Sequence, residues 1–114
     1  MVERKKTMKR YVCNVFTLGM CNVSRGTIRW EEVSVERARE LARDALPAIG
    51  HDQTAKLASE SLAFPVPFNR VSVKLEHGDE LLVYQYVGPR LPEGVITLPE
   101  GAEIHWIHVV HSLD

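Results

Sequence analysis

The stretch PAIGHDQTAKLASESL, residues 47–62, sets a glycine and a histidine directly ahead of a run with helical character. The start of a helix presents unpaired backbone N–H groups and the positive end of the helix dipole, so it attracts phosphate without a basic side chain. Gly50 lets the backbone approach such an anion closely, and His51 then stands beside it with a group that exchanges protons near neutrality. Asp52 and Thr54 fall in the first helical turn. Thr54 counts as a ligand-contacting candidate, although both positions also fit ordinary helix-start roles, as His51 fits a surface cap. Further support comes from GPRLPEG, residues 88–94, where prolines and glycines preorganise Arg90 for bidentate contact with phosphate and Glu93 lies three residues beyond. Arg70, following a proline-restricted loop, obeys the same logic. A helix-start histidine with two loop arginines is a constellation for phosphodiester chemistry.

A rival constellation is HWIHVVH, with His105, His108 and His111 evenly spaced. On a strand, side chains alternate, so His105 and His111 face one way and His108 the other. Three ligands then do not converge, and neither cysteine belongs to a C-x-x-C pair; no metal site and no cofactor are expected.

These side chains need a scaffold. YVCNVFT, residues 11–17, is apolar on both alternating faces and reads as a central strand. GMCNVSRG reads as a loop and TIRW as a short strand. SVERARELARDAL, 34–46, reads as an amphipathic helix capped by Ser34, with Val35, Ala38, Leu41, Ala42 and Ala45 on its apolar face and Pro47 and Gly50 stopping it. The second helix spans about Asp52 to Ala63, with Ala55, Leu57, Ala58 and Leu62 inward. FPVPFN is an extended loop because its prolines break helices. VSVKL and LLVYQYV then form a hairpin around EHGDE, GPRLPEG is a loop, and IHWIHVVH is a last strand. The expected order is β, β, α, α, β, β, β: an α/β fold with a mixed central sheet of about five strands flanked by helices.

With 114 residues, 45% of them hydrophobic and 25% charged, the chain has the profile of one globular domain with a sizeable core. Residues 1–10 read as a basic, flexible extension and 11–114 as the domain. The first ten residues hold five of the fourteen Lys and Arg but one of the fifteen acids, which leaves the remainder net acidic. An acidic body does not suit a protein that coats duplex DNA. No apolar run reaches the eighteen residues of a membrane span and no signal-peptide pattern follows the basic start, so a cytoplasmic location is expected. Cys13 and Cys21 are too few for a disulfide framework.

Four segments, NVFTLGM, AIGHDQT, NRVSVKL and LLVYQYVGPRLPEG, resemble in order and spacing the viral anti-CRISPR ring nucleases and their bacterial relatives, over roughly residues 11–98. The paired I-G-H-x-x-T and R-L-x-E-G elements carry the resemblance. It implies a metal-independent enzyme that cleaves cyclic tetra-adenylate, the second messenger of type III CRISPR systems, into di-adenylate with 2′,3′-cyclic phosphate ends. It further implies His51 acting on the scissile phosphodiester, Arg90 and Glu93 completing the catalytic site, and Asn14 and Thr17 contacting ligand. The chain departs from the family in its basic extension, in Thr17 where a related member has serine, and in a short stretch between Gly94 and the last strand. A ring of four identical adenylates is symmetric, so the expected assembly is a homodimer with the ligand across the two-fold axis. The alternative is a non-catalytic module that binds cyclic nucleotide or nucleic acid, a messenger sponge or small regulator, which has no need of His51.

Overall fold

The computed structural model describes residues 8–113. Five strands form one sheet in the order β2-β5-β4-β1-β3, with two α-helices. β1 (Arg10–Cys13) lies inside it, parallel to β3 (Leu46–Ala48) on one side and to β4 (Glu80–Val87) on the other. β5 (Glu103–Ser112) pairs antiparallel with β4 and with the edge strand β2 (Thr27–Val33). The sheet is therefore mixed, as the order of strands and helices in the sequence leads one to expect.

α1 (Val35–Ala42) starts at Ser34, whose hydroxyl accepts from the Arg37 N–H, so that cap is the one the sequence indicates. α2 (Asp52–Leu62) ends where Ala63 adopts a left-handed conformation. Both helices cover the same face. Ala38, Leu41 and Ala42 of α1 and Ala55, Leu57, Ala58 and Leu62 of α2 pack with Val12, Leu82, Tyr84 and Trp106 of the sheet. Trp106 meets the edge of Tyr84 at 5.7 Å between ring centroids, and its indole N–H donates to Ser61 Oγ at 2.9 Å. That bond satisfies the one polar atom such a residue carries into a core. The opposite face is closed by a single 3-10 turn, Leu18–Cys21, and by the segment around Val73 and Leu75, which together with Cys13, Leu81, Val83 and Val109 form a second core.

Four sequence expectations need correction. The first strand ends at Cys13 instead of continuing to residue 17, and the chain then turns into the 3-10 helix. The first helix stops at Ala42, because residues 46–48 form a strand of their own. Pro47 is tolerated there since β3 lies at the edge of the sheet, where a missing donor leaves no ladder bond broken. The hairpin of VSVKL with LLVYQYV does not form: β4 already has β5 on one side and β1 on the other, so neither edge is free. Val73 and Leu75 still alternate inward as in a strand, and the Leu75 N–H donates to the Met20 carbonyl at 2.7 Å, outside any ladder. The element order is thus β, β, α, β, α, β, β. Of the expected extension, residues 1–7 lie outside the described residues. Lys9 and Arg10 belong to the fold: Lys9 N–H donates to Asp79, and Arg10 Nε donates to Glu80 at 3.1 Å.

Candidate functional site

The site is created by the early exit of β1. β4 runs on to Val87 after its neighbour has stopped at Cys13, and a crevice opens beyond the carboxyl end of β1. β1 leads into the 3-10 turn on one face and β3 leads into α2 on the other, which is the topological switch where open α/β sheets bind ligands. A cleft of about 880 Å³ occupies this place. Asn14 and Thr54 line it, with Tyr84, Gln85 and Tyr86 along the stretch of β4 beyond the end of β1. It continues over Ile28, Trp30, Ile107 and the buried Val109. Trp30 is 67% exposed and Leu18 is 72% exposed, so apolar area stands open to solvent.

His51 occupies the N-cap position of α2 with extended backbone, and its carbonyl accepts from the Ala55 N–H at 2.9 Å. Its imidazole makes no capping bond. An ordinary N-cap uses its side chain to satisfy a first-turn N–H; here the ring is exposed and engaged by no hydrogen bond or ion pair among the described residues. Asp52, next in the chain, adds a negative charge to the same terminus, and Lys56 answers it one turn later at 3.1 Å. Arg70 lies against Gly50: a Cβ built on that glycine meets the arginine Cγ at 3.6 Å and Nε at 3.8 Å. Asn69 fixes the approach, its N–H donating to the Ile49 carbonyl and its side-chain amide to the Pro47 carbonyl.

The loop bearing Arg90 and Glu93 reaches the same end of α2. The Gln53 side-chain amide, two residues after His51, donates to the carbonyls of Pro92 and Val95. Pro92 to Val95 forms a turn closed by the Val95 N–H on the Pro92 carbonyl at 3.2 Å, and Gly94 supplies its positive φ of 86°. At the loop's other end Tyr86 Oη donates to the Pro89 carbonyl, and a Cβ on Gly88 would stand 2.8 Å from Ala102 Cβ. Arg90 and Glu93 are exposed, and neither side chain is paired among the described residues.

The expected residues therefore fall into groups. Gly50, His51, Thr54 and Arg70 gather at the start of α2, and the Arg90–Glu93 loop is tied to its first turn. Asn14 and Thr54 both line the cleft. Thr17 is exposed at the start of the 3-10 turn and does not line the cleft. Sequence reasoning missed Gln53, Tyr84, Tyr86 and Trp30. The Tyr-Gln-Tyr alternation in β4 is a signal in the sequence, but only the early end of β1 sets it beside the cleft, and Tyr84 itself stays buried.

The three histidines of β5 have separate surroundings. Both ring nitrogens of His105 face carboxylates at 2.9 Å, Glu32 and Glu103, and these hydrogen bonds push its pKa up. His108 bonds Glu80 on the other face. Burial pushes the Glu80 carboxyl up, but the hydrogen bonds from His108 and Arg10 outweigh it and hold the group below its ordinary value. His111 is buried, with Nδ1 3.3 Å from the Glu76 carbonyl. No three metal-ligating side chains cluster among the described residues. No helix there is long and apolar enough to cross a membrane.

The fold and its crevice define a small mixed-sheet α/β protein with a ligand-sized cleft at a strand-switch point. The model of the STIV B116-like family matches residues 10–109, and the chain belongs to that family. It is 32% identical over 88 residues to uncharacterized protein 26 of Sulfolobus islandicus filamentous virus (isolate Iceland/Hveragerdi), which is 75% of this chain and 74% of that protein. B116 of Sulfolobus turreted icosahedral virus (STIV) shares the fold with a TM-score of 0.74 and 28% identity, covering 89% of this chain and 97% of its own. Both relatives are viral proteins.

Proposed function

We propose that the protein is a ring nuclease that binds cyclic tetra-adenylate and cleaves it to linear di-adenylate with 2′,3′-cyclic phosphate ends, switching off type III CRISPR signalling. The observation that carries this reading is His51: an unengaged imidazole at the amino end of α2, with Arg70 against the adjacent glycine and the Arg90–Glu93 loop tied to the same helical turn.

RNA carries its own nucleophile, which is why the proposed reaction needs no metal. The ribose 2′-oxygen attacks the adjacent phosphorus in line, gives up its proton to solvent water, and forms the 2′,3′-cyclic phosphate as the bond to the 5′-oxygen breaks. The protein positions the backbone, stabilises the extra charge on the phosphoryl oxygens and protonates the leaving oxygen. Arg90 and the first-turn N–H groups of α2 supply the charge stabilisation. Protonated His51 donates to the 5′-oxygen, a contribution worth about 10²–10⁴-fold. Glu93, a carboxylate that phosphate repels, orients Arg90 or a ribose hydroxyl. Asn14 and Thr54 contact ligand from the cleft walls.

One subunit leaves its Trp30 face open, and that face is continuous with the cleft holding Asn14 and Thr54. A second copy related by a two-fold axis covers it and places two His51 residues near opposite phosphodiesters of one ring.

The test is labelled cyclic tetra-adenylate with parent, His51→Ala and Arg90→Ala proteins. The parent yields di-adenylate, with a linear tetranucleotide as intermediate. His51→Ala binds the ring and loses cleavage, because its imidazole serves the transition state; Arg90→Ala weakens both. A parent that binds without cleaving leaves the sponge reading, and His51→Ala cleaving at the parental rate removes the histidine from the mechanism.

A further inference from the structure

We propose that Gln53 is a positioning residue: it holds the turn Pro92–Val95 on the first turn of α2 and thereby fixes Arg90 and Glu93 relative to His51. The inference rests on the ring-nuclease reading for its catalytic consequence, but not for the latch itself.

Gln53 lies two residues beyond His51, in the turn whose backbone N–H groups face the proposed phosphate. Its half-buried side chain turns away from solvent and donates from Nε2 to two carbonyls, Pro92 at 3.0 Å and Val95. A carbonyl only accepts, so the pair of partners dictates which end of the amide faces the loop and uses both of its N–H groups. Among the described residues no other hydrogen bond joins residues 88–98 to α2. The two carbonyls bracket Glu93, and Arg90 lies between this latch and the Tyr86–Pro89 bond, with Leu91 packed against the core. The loop is thus pinned before and after the two functional side chains, while the side chains themselves stay free. An amide is the side chain this geometry requires. Glutamate at position 53 offers carboxylate oxygens to carbonyl oxygens, and methionine keeps the length but donates nothing.

The experiment uses the full chain with Gln53→Met and Gln53→Glu. Arg90 is followed by leucine, so trypsin cuts the loop there whenever it opens. With the thermal midpoint of each variant measured as a check on folding, both raise the rate of cutting after Arg90 roughly tenfold, as expected for losing two hydrogen bonds that oppose local opening. Lowering the pH through the range where a carboxyl gains its proton, about 4.3, restores protection to the Glu variant relative to the Met variant, because the acid form again donates. Towards cyclic tetra-adenylate, Gln53→Met lowers kcat/KM about tenfold in the parent background and hardly at all when Arg90 and Glu93 are already alanine, the signature of a residue acting through them. Parental proteolysis rates in both variants overturn the latch, and a loss that is additive with the Arg90 and Glu93 substitutions overturns the positioning role. A parent inert towards the ring removes the catalytic consequence and the ring-nuclease reading together, and the proteolysis arm then decides the latch alone.

Discussion

Asp79 is 1% exposed and sits where three parts of the chain meet. Its two carboxylate oxygens accept from the Lys9 N–H at 3.1 Å and the Glu76 N–H at 2.9 Å, while its backbone carbonyl accepts from the His111 N–H at 3.0 Å. Asp79→Ala keeps the backbone bond and strands the two N–H groups. Each buried, unsatisfied donor costs about 1–3 kcal/mol, and Lys9 and Glu76 are themselves exposed residues whose N–H groups recover some water, so the loss is roughly 2–3 kcal/mol. For a chain of this size that lowers Tm by about 8–12 °C. Asp79→Asn retains one acceptor oxygen but turns an amide N–H towards the second donor, and loses about half as much. Urea unfolding followed by circular dichroism reads both, with the midpoint falling and the slope unchanged. An Ala variant within about 0.5 kcal/mol of the parent refutes the argument, because surface substitutions alone produce changes of that size.

Three other outcomes follow from the same structure. Since both His105 nitrogens face carboxylates, its folded pKa exceeds the unfolded value of about 6.5; the stability it adds is complete below that pH and disappears as pH rises through the folded value. NMR titration should find its midpoint above that of an unpaired histidine, and His105→Gln should flatten the pH dependence of stability in that window. Excess EDTA should leave the proposed single-turnover cleavage of cyclic tetra-adenylate unchanged; a rate that collapses and returns with Mn²⁺ or Mg²⁺ sinks the 2′-hydroxyl mechanism as written. Trp30→Glu places a charge on the open apolar face and converts the proposed dimer to monomer in light scattering, with the fold kept because Trp30 is 67% exposed in one subunit.

The helices were legible because their signals are local: Ser34 caps α1 as its position indicates, and Ala55, Leu57, Ala58 and Leu62 recur at helical spacing on α2. Strand pairing was not, because it is decided by competition for edges. VSVKL has the composition of a strand, yet β4 is already paired on both sides. β3 is three residues long and contains Pro47, so neither length nor composition announces it. The same division holds at the site. His51, Gly50, Arg90 and Glu93 carry a recognisable pattern, whereas Gln53 reads as one more polar residue on a helix until its two distant acceptors, at 92 and 95, are known. The cleft itself follows from the point where β1 ends, which Asn14 and Val15 do not reveal by type.

The position of β5 bears on how the molecule comes into being. β2 has one neighbour in the sheet, and that neighbour is β5, some seventy residues further along the chain. During synthesis β2 therefore leaves the ribosome long before anything exists for it to pair with. β4 likewise waits for one of its two edges to be filled. Pairings this distant in sequence form late and slowly, and open strand edges are what invite a nascent chain to associate wrongly. The sheet is completed only once residues 103–112 are available, and docking β5 between β2 and β4 also sets the stretch of β4 that walls the cleft.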